Sequence, residues 1–258
     1  MPLDIRAGPA RFYDLSPHHP NDVAFYSARL PGPQARVLEL GCGTGRVSIP
    51  LAARCGFLHG LDLSEAMLTV CRSKLEAAGI AENKIRVERG DISDFSLDSR
   101  FDRIIAPFRV MQNLETDQQL AGLFRCIREH QTEGGSCILN VFHPNRPPEA
   151  LEREWVSERE NLAWEVDDGG ERVVCYDIRR RLTVDPLILY PELVYRRYAG
   201  QDLVEEAVLP IPMRCFYPDE FLTLIQDEGG QVLETWGGYD GEEYGCGNEL
   251  VVEFSMAV

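Results

Sequence analysis

Lysine is scarce in this sequence. The 258 residues contain 26 basic side chains, but only two of them, Lys74 and Lys84, are lysines. Neither completes the G-x-x-x-x-G-K-[ST] motif of a phosphate-binding P-loop, and neither follows a tyrosine by four positions, as in short-chain dehydrogenases. The scarcity of lysine therefore argues against a P-loop nucleotidase and removes most support for hydride transfer.

Positive charge as a whole is also in short supply. The formal net charge is -16 and the sequence pI is about 4.7. A surface of this sign repels the phosphates of nucleic acids and of anionic membranes. We therefore expect neither nucleic acid nor a membrane as a partner, and we expect a small-molecule substrate.

Three further features are missing: a CxxC pair among the eight cysteines, an apolar run of 18 residues, and an apolar stretch near the N terminus. The first absence argues against a redox motif or a cysteine metal site. The other two argue against a membrane span and a secretory signal. The sequence thus predicts a cytoplasmic protein with reduced thiols and no bound metal.

Short apolar strands alternate with amphipathic helices over the first 142 residues and again near the end. This alternation predicts βαβ units and a doubly wound, Rossmann-like, mostly parallel seven-stranded sheet. In the helix after the second strand, Ser64 is a suitable N-cap and Gly79 a suitable stop. The predicted strands are residues 36–40, 57–63, 84–91, 101–107, 136–142, 231–238 and 248–256, and the predicted helices are 46–54, 64–79, 117–131 and 218–230.

The pattern changes after Phe142, where a proline-rich break leads into residues with period-two alternation. We predict an antiparallel β-meander over residues 149–210, inserted into a domain formed by residues 1–148 and 211–258. The inserted sheet is expected to cover the mouth of the site or to contact a second copy in a homodimer. Its side chains Val174, Tyr176, Ile178, Leu182 and Val184 are predicted to share one face.

Glycine dominates the stretch VLELGCGTGRV, residues 37–47, directly after the first strand. Its spacing, G-x-G-x-G, differs from the G-x-G-x-x-G of dinucleotide sites. Asp62 follows 21 residues after Gly41, at the end of the next strand, where a carboxylate can accept hydrogen bonds from ribose hydroxyls. The pattern predicts a nucleoside cofactor at the carboxyl edge of the sheet.

ELGCGTG resembles motif I, [ED]xGxGxG, of class I S-adenosylmethionine-dependent methyltransferases. GLDLS (60–64) with Met67, and GDI (90–92), resemble the second and third motifs of the same class. The resemblance extends from about Tyr13 onward and is closest to the small-molecule branch with an inserted antiparallel sheet, which includes glycine-type and amino-sugar N-methyltransferases. It implies S-adenosylmethionine as the cofactor.

The resemblance also implies roles for individual residues. The glycine loop would approach the methionine portion of the cofactor, Asp62 would hold the ribose, and Tyr13 would close over the methionine end. Leu63 and Met67 would flank the adenine, whose edge Asp91 and Ile92 would contact. The implied cofactor-binding residues are Tyr13, Glu39, Gly41, Cys42, Gly43, Gly45, Asp62, Leu63, Met67, Asp91, Ile92, Ala106 and Phe108.

The sequence says less about the residues that would bind the methyl acceptor. Candidates for catalysis are Tyr13, Arg109, Asn113 and His143. Asn113 occupies a position where related enzymes often carry histidine, which weakens the case for a dedicated base there. Arg109 either binds an anionic group of the acceptor or pairs with a carboxylate, and His143 is either a base or a surface histidine.

These patterns predict methyl transfer to a small molecule, more readily to nitrogen than to oxygen, with proximity as the main catalytic effect. The alternative is a regulatory or scaffold protein that binds S-adenosylmethionine without turnover. Arginines cluster in the inserted sheet, where they serve an anionic substrate or pair with neighbouring acids. They are Arg179, Arg180, Arg181, Arg196 and Arg197.

Overall fold

The computed structural model describes residues 4–256 and contains two sheets. The larger sheet has seven strands, in the spatial order β11-β12-β5-β4-β1-β2-β3. Its strands are β1 (Arg36–Leu40), β2 (Phe57–Asp62), β3 (Ile85–Arg89), β4 (Phe101–Ala106), β5 (Gln131–Phe142), β11 (Gly230–Trp236) and β12 (Glu249–Met256).

All neighbouring strands from β3 to β5 pair in parallel, and β12 pairs antiparallel with both β5 and β11. Only β12 therefore runs against the others. This arrangement confirms the predicted doubly wound, mostly parallel sheet with a separate antiparallel sheet. It also brings the carboxyl ends of β1, β2 and β4 together at one edge, where doubly wound folds bind their ligands.

Helices cover both faces of the large sheet, and a further helix packs against the second sheet through Leu151. They are α1 (Ala10–Tyr13), α2 (Asp22–Ala28), α3 (Ser48–Ala52), α4 (Glu65–Ala77), α5 (Asp117–His130), α6 (Pro148–Glu154) and α7 (Pro218–Asp227). One core contains Leu40, Phe124 and Phe254, and the opposite core contains Val37 and Phe25. Each such fully buried side chain stabilises the fold by about 1.5–3 kcal/mol.

The start of α4 forms as the sequence predicts, because the Ser64 hydroxyl accepts a hydrogen bond from the Met67 N–H at 3.2 Å. Two other elements differ. Helix α3 is shorter than the predicted 46–54 at both ends, and it begins only after Gly43 and Gly45, which take left-handed conformations. Strand β5 begins at Gln131 rather than at residue 136, and an irregularity in its pairing with β4 accommodates the extra residues.

The second sheet contains β6 (Ser157–Asp168), β7 (Glu171–Val184), β8 (Leu187–Ala199), β9 (Asp202–Pro210) and β10 (Met213–Arg214). The prediction that five residues of β7 share one face is wrong. A register shift between Arg179 and Arg181 reverses the alternation. Leu182 and Val184 therefore lie on the face opposite Val174, Tyr176 and Ile178.

Sequence-distant contacts hold the second sheet against the ligand edge of the first. The Phe12 ring stacks on Tyr195 with centroids 5.2 Å apart, and the Tyr190 hydroxyl donates to the Glu115 carboxylate at 2.9 Å. Strand β10 pairs with β8 although it lies beyond the predicted boundary at residue 210. The division of the chain into two domains stays a prediction. Within residues 4–256, no helix is long and apolar enough to cross a bilayer.

Candidate functional site

The glycine loop turns back over the end of β2. The N–H groups of Gly41 and Cys42 both donate to the Leu61 carbonyl, at 2.7 and 2.9 Å. Gly41 has φ +72°, and a Cβ there would lie 2.5 Å from Val110 Cγ1. Gly43 has φ +54°, and its missing Cβ would lie 3.3 Å from Met67 Cε. The loop thus needs glycine for its conformation and for its close packing.

Asp62 connects this loop to the start of α4. Its Oδ2 accepts a hydrogen bond from the Gly43 N–H, and its Oδ1 accepts one from the Ser64 N–H, both at 2.8 Å. Burial raises the pKa of the Asp62 carboxyl, and the two backbone hydrogen bonds oppose that shift. Each carboxylate oxygen can accept a further bond, so Asp62 can hold a vicinal diol beside Gly43.

An apolar surface adjoins Asp62. Leu63 is 56% exposed although it is a large apolar side chain, whereas Met67 and Ile92 are buried. Asp91 Oδ1 accepts from both the N–H and the hydroxyl of Ser93, which fixes the turn after β3. The predicted contact of these residues with an adenine ring would combine an apolar surface with a polar edge.

Glu39 lies beneath the glycine loop and is 2% exposed. It accepts a short hydrogen bond from the Ser48 hydroxyl. Burial raises the pKa of the Glu39 carboxyl to about 8, although Ser48 and Arg46 act in the opposite direction. Burial also raises the pKa of the Cys42 thiol, which makes that thiol a poor nucleophile.

The segment before α2 crosses the ligand edge and joins its loops. Asp4 accepts from the Ser64 hydroxyl at 2.9 Å, Arg6 donates to Asn113 Oδ1 at 3.4 Å, and Asp14 accepts from the Thr44 hydroxyl at 2.8 Å. Tyr13 lies in this segment, and burial raises the pKa of its hydroxyl while the nearby Arg46 opposes the shift.

Two charged residues that sequence reasoning missed form an ion pair beside Tyr13. The Arg46 guanidinium donates to both carboxylate oxygens of the fully buried Asp22, at 2.5 and 2.7 Å. His19 packs against Tyr13 with ring centroids 5.4 Å apart, and burial lowers the pKa of the His19 imidazole. Arg46 directly follows the glycine loop, which is the one signal that could have identified it.

The turn after β4 has unusual backbone geometry. Phe108 and Arg109 are consecutive non-glycine residues with φ +53° and +66°. Ala106, which precedes them, is fully buried, whereas Phe108 is 36% exposed. The Arg109 guanidinium pairs with Glu249, an internal pairing that favours the second of the two predicted roles. We call residues 108–109 the corner.

Asn113 and Gln112, just beyond the corner, make hydrogen bonds within the protein. The Asn113 amide donates to the Val110 carbonyl at 3.1 Å. Gln112 is fully buried and its amide donates to the carbonyls of Phe142 and Arg214, at 2.9 and 2.7 Å. Gln112 thereby ties the corner to β5 and to the second sheet.

His143 follows β5 and is buried, with 8% of its surface exposed. The backbone N–H of His143 donates to the Asn248 carbonyl at 2.8 Å, and the backbone carbonyl of His143 accepts from the Asn248 side-chain amide at 3.0 Å. These bonds fix the backbone of His143 beside the β11–β12 loop. They leave its role as a base a prediction.

A cavity of about 320 Å³ opens between Pro20 and Asn21, which precede α2, and the β11–β12 loop. Its wall includes Tyr239, whose hydroxyl accepts from the Phe108 N–H at 3.2 Å, so the cavity adjoins the corner. Three of its eleven lining residues are acidic, namely Asp240, Glu242 and Glu249. Across residues 4–256, no group of three metal-ligating side chains is suitably arranged to hold an ion.

The arginines of the second sheet pair mainly with its own acids. Arg196 contacts Glu160 and Glu206, and Arg197 contacts Asp168 and Glu171. Arg179 and Arg180 likewise pair with Asp177 and Glu192. Arg181 packs on the Tyr190 ring, 3.4 Å from its centroid. These contacts favour internal charge pairing over the alternative of an anionic substrate.

Residues 37–135 match the model of a methyltransferase domain family. The chain is 31% identical over 121 residues to dTDP-3-amino-3,4,6-trideoxy-alpha-D-glucopyranose N,N-dimethyltransferase of Streptomyces venezuelae, which covers 47% of each chain. It is 34% identical over 140 residues to phosphatidylethanolamine N-methyltransferase of Cereibacter sphaeroides, or 54% of this chain and 66% of that one. The matched region is thus about half of the first relative.

The similarity of fold extends over nearly the whole chain. The CcbJ methyltransferase of Streptomyces caelestis superposes with a TM-score of 0.76 at 22% identity, covering 99% of both chains. Both sheets therefore belong to one known architecture.

Proposed function

We propose that the chain is a class I S-adenosylmethionine-dependent methyltransferase that transfers a methyl group to a small molecule, because residues 37–135 match a methyltransferase domain family. We further propose that the acceptor atom is an amine nitrogen rather than a hydroxyl oxygen. The observation that carries the proposal is the contact of Asp62 with Gly43, at the ligand edge of the matched domain.

The residues at this edge fit the cofactor. Asp62 would accept hydrogen bonds from the ribose, and the exposed Leu63 would lie against the adenine together with Met67. Gly43 leaves room beside Asp62, because no Cβ fills that space. Tyr13 would lie at the methionine end, beside the ion pair of Arg46 and Asp22. When bound, the sulfonium supplies the activated methyl group.

Three observations support an amine acceptor. Asp240 and Glu242 line the cavity of about 320 Å³ beside the corner, where their carboxylates would attract a cationic group. Asn113 carries a neutral amide, which has no basic group to remove a proton, and that amide is bonded to the Val110 carbonyl and to Arg6. Two relatives are named as N-methyltransferases, one acting on an amino sugar. A neutral amine needs orientation more than it needs a base.

The chain's contribution to the reaction is then mainly positional. The glycine loop, Asp62 and the segment carrying Tyr13 would fix the donor, and the corner with the cavity would hold the acceptor amine in line with it. The N-terminal segment, bound to Ser64 and Thr44, covers the edge and limits the access of water. These effects reduce the entropy cost of bringing two reactants together.

The test has two stages. Calorimetry should show binding of S-adenosylmethionine and none of NAD, and the reverse result would exclude a methyltransferase. The protein should then be incubated with S-adenosylmethionine and a panel of amino sugars, amino acids and simple amines, each matched by the corresponding alcohol. S-adenosylhomocysteine should be released with the amines and not with the alcohols. Release only with alcohols would overturn the choice of nitrogen. Cofactor binding without turnover across the panel would favour the regulatory or scaffold alternative.

A further inference from the structure

The corner after β4 is strained. Phe108 and Arg109 both occupy the left-handed region, in which a side chain clashes with the following carbonyl. Two such residues in succession persist only where the surroundings hold them. The contacts that hold this corner therefore identify residues with a specific task.

Three side chains hold the corner from outside. The Phe108 N–H donates to the Tyr239 hydroxyl at 3.2 Å, and the Arg109 N–H donates to Asn140 Oδ1 at 3.0 Å. Asn140 is fully buried, and its Nδ2 donates to Glu249 Oε2 at 2.8 Å. Glu249 also forms an ion pair with the Arg109 guanidinium, so it contacts both Asn140 and the corner itself. We call Asn140, Tyr239 and Glu249 the clamp.

The corner is also close to the glycine loop. Val110, the next residue, lies so close to Gly41 that an added Cβ would be 2.5 Å from Val110 Cγ1. Phe108 lies near the Arg46 guanidinium, with 5.6 Å between its ring centroid and Cζ. A shift of the corner would therefore displace Val110 against Gly41 and Phe108 against Arg46.

We propose that Asn140, Tyr239 and Glu249 are positioning residues, which hold the corner so that the glycine loop keeps its cofactor-binding shape. They act through Phe108, Arg109 and Val110 rather than by touching reacting atoms. The inference rests on the proposed function, because it assigns the clamp to the same cofactor site.

A matched pair of carboxylates on β12 provides the test. Glu253 forms an ion pair with Arg103 of β4 and accepts from Ser136 of β5, as Glu249 does with Arg109 and Asn140, but at the opposite edge of the sheet. Glu249→Ala should weaken binding of S-adenosylhomocysteine at least about fivefold by calorimetry. Glu253→Ala should lower the melting temperature without changing that affinity.

Two further variants separate positioning from general stability. Glu249→Gln keeps one of the two acceptor oxygens but turns an NH2 group toward Asn140 or Arg109, both of which are donors, so its affinity should lie between those of the unmodified protein and Glu249→Ala. Tyr239→Phe removes one hydroxyl and should weaken binding about two- to fivefold while the chain still folds. Unchanged affinity in Tyr239→Phe and Glu249→Ala, or an equal loss in Glu253→Ala, would overturn the clamp. No binding by the unmodified protein would instead reject the proposed function.

Discussion

The Asp62 carboxylate and the Gly43 N–H, nineteen residues apart in sequence, are joined by a hydrogen bond of 2.8 Å. The second Asp62 oxygen is bonded to the Ser64 N–H. One carboxylate therefore fixes both the glycine loop and the start of α4. Since these two elements would flank the ribose, the shape of the site is established by the protein itself, which reduces the ordering cost of binding.

Replacing Asp62 should impair cofactor binding. Asp62→Ala removes both the implied ribose contact and the bond to Gly43, so we expect affinity for S-adenosylmethionine to fall about 10- to 100-fold in calorimetry. Asp102→Ala is the control, because Asp102 also accepts a backbone N–H, from Arg36, but at the opposite end of the strands. Equal affinities of Asp62→Ala and the unmodified protein would eliminate the ribose role.

Glu39 should give the protein a characteristic pH dependence. Its usual pKa of 4.5 applies in the unfolded chain, and burial raises the folded value to about 8. Between these limits the folded chain retains a proton that the unfolded chain has lost, so stability falls as pH rises from about 4.5 to about 8. Glu39→Gln should remove this decline in urea titrations, and parallel curves for the two proteins would contradict the raised pKa.

The protein should be more stable with glycine at position 108 than with alanine there. Both replacements remove the ring, but only glycine adopts φ +53° without strain, so Phe108→Gly should exceed Phe108→Ala by about 1 kcal/mol in free energy of unfolding. The control is Ala121→Gly on the exposed face of α5, where glycine should be destabilising by about 1 kcal/mol. If alanine were more stabilising than glycine at position 108, as is expected at position 121, the corner would be unstrained.

Without Asp22, the positive charge of Arg46 would have no carboxylate partner in a mostly buried position. Asp22→Leu is expected to lower the free energy of unfolding by about 3–5 kcal/mol, because Arg46 loses its bidentate partner. The double variant Asp22→Leu with Arg46→Met should be more stable than Asp22→Leu alone. A double variant that is less stable would mean that Arg46 contributes mainly through other contacts.

Local patterns account for the parts of the fold that the sequence predicts. The strand after Ala35, the turn at Gly41 and the cap at Ser64 each depend on a few adjacent residues, and each is present in the structure. Right-handed crossovers place helices on both faces of the sheet, and the observed strand order puts β1 next to β2. The position of Asp62 beside the glycine loop follows from that order, because β1 and β2 are neighbours.

The rest depends on pairings across long stretches of sequence. Asn140 and Glu249 are 109 residues apart, and no short motif indicates that they meet beside Arg109. With 42 acidic residues available, the partner of a given arginine cannot be read from spacing. The register shift near Arg179 is similarly invisible, because one extra residue in a strand leaves its composition unchanged.

The place of β12 in the large sheet has a consequence for biosynthesis. This strand follows all the others in the chain but lies between β11 and β5, so β5 keeps an open, aggregation-prone edge until residues 249–256 have been made. In the second sheet, by contrast, β6 to β9 each pair with the next strand in sequence, and such local pairings form fast. A nascent chain can therefore complete strands β6 to β9 of the second sheet before β12 covers the edge of β5 in the large sheet.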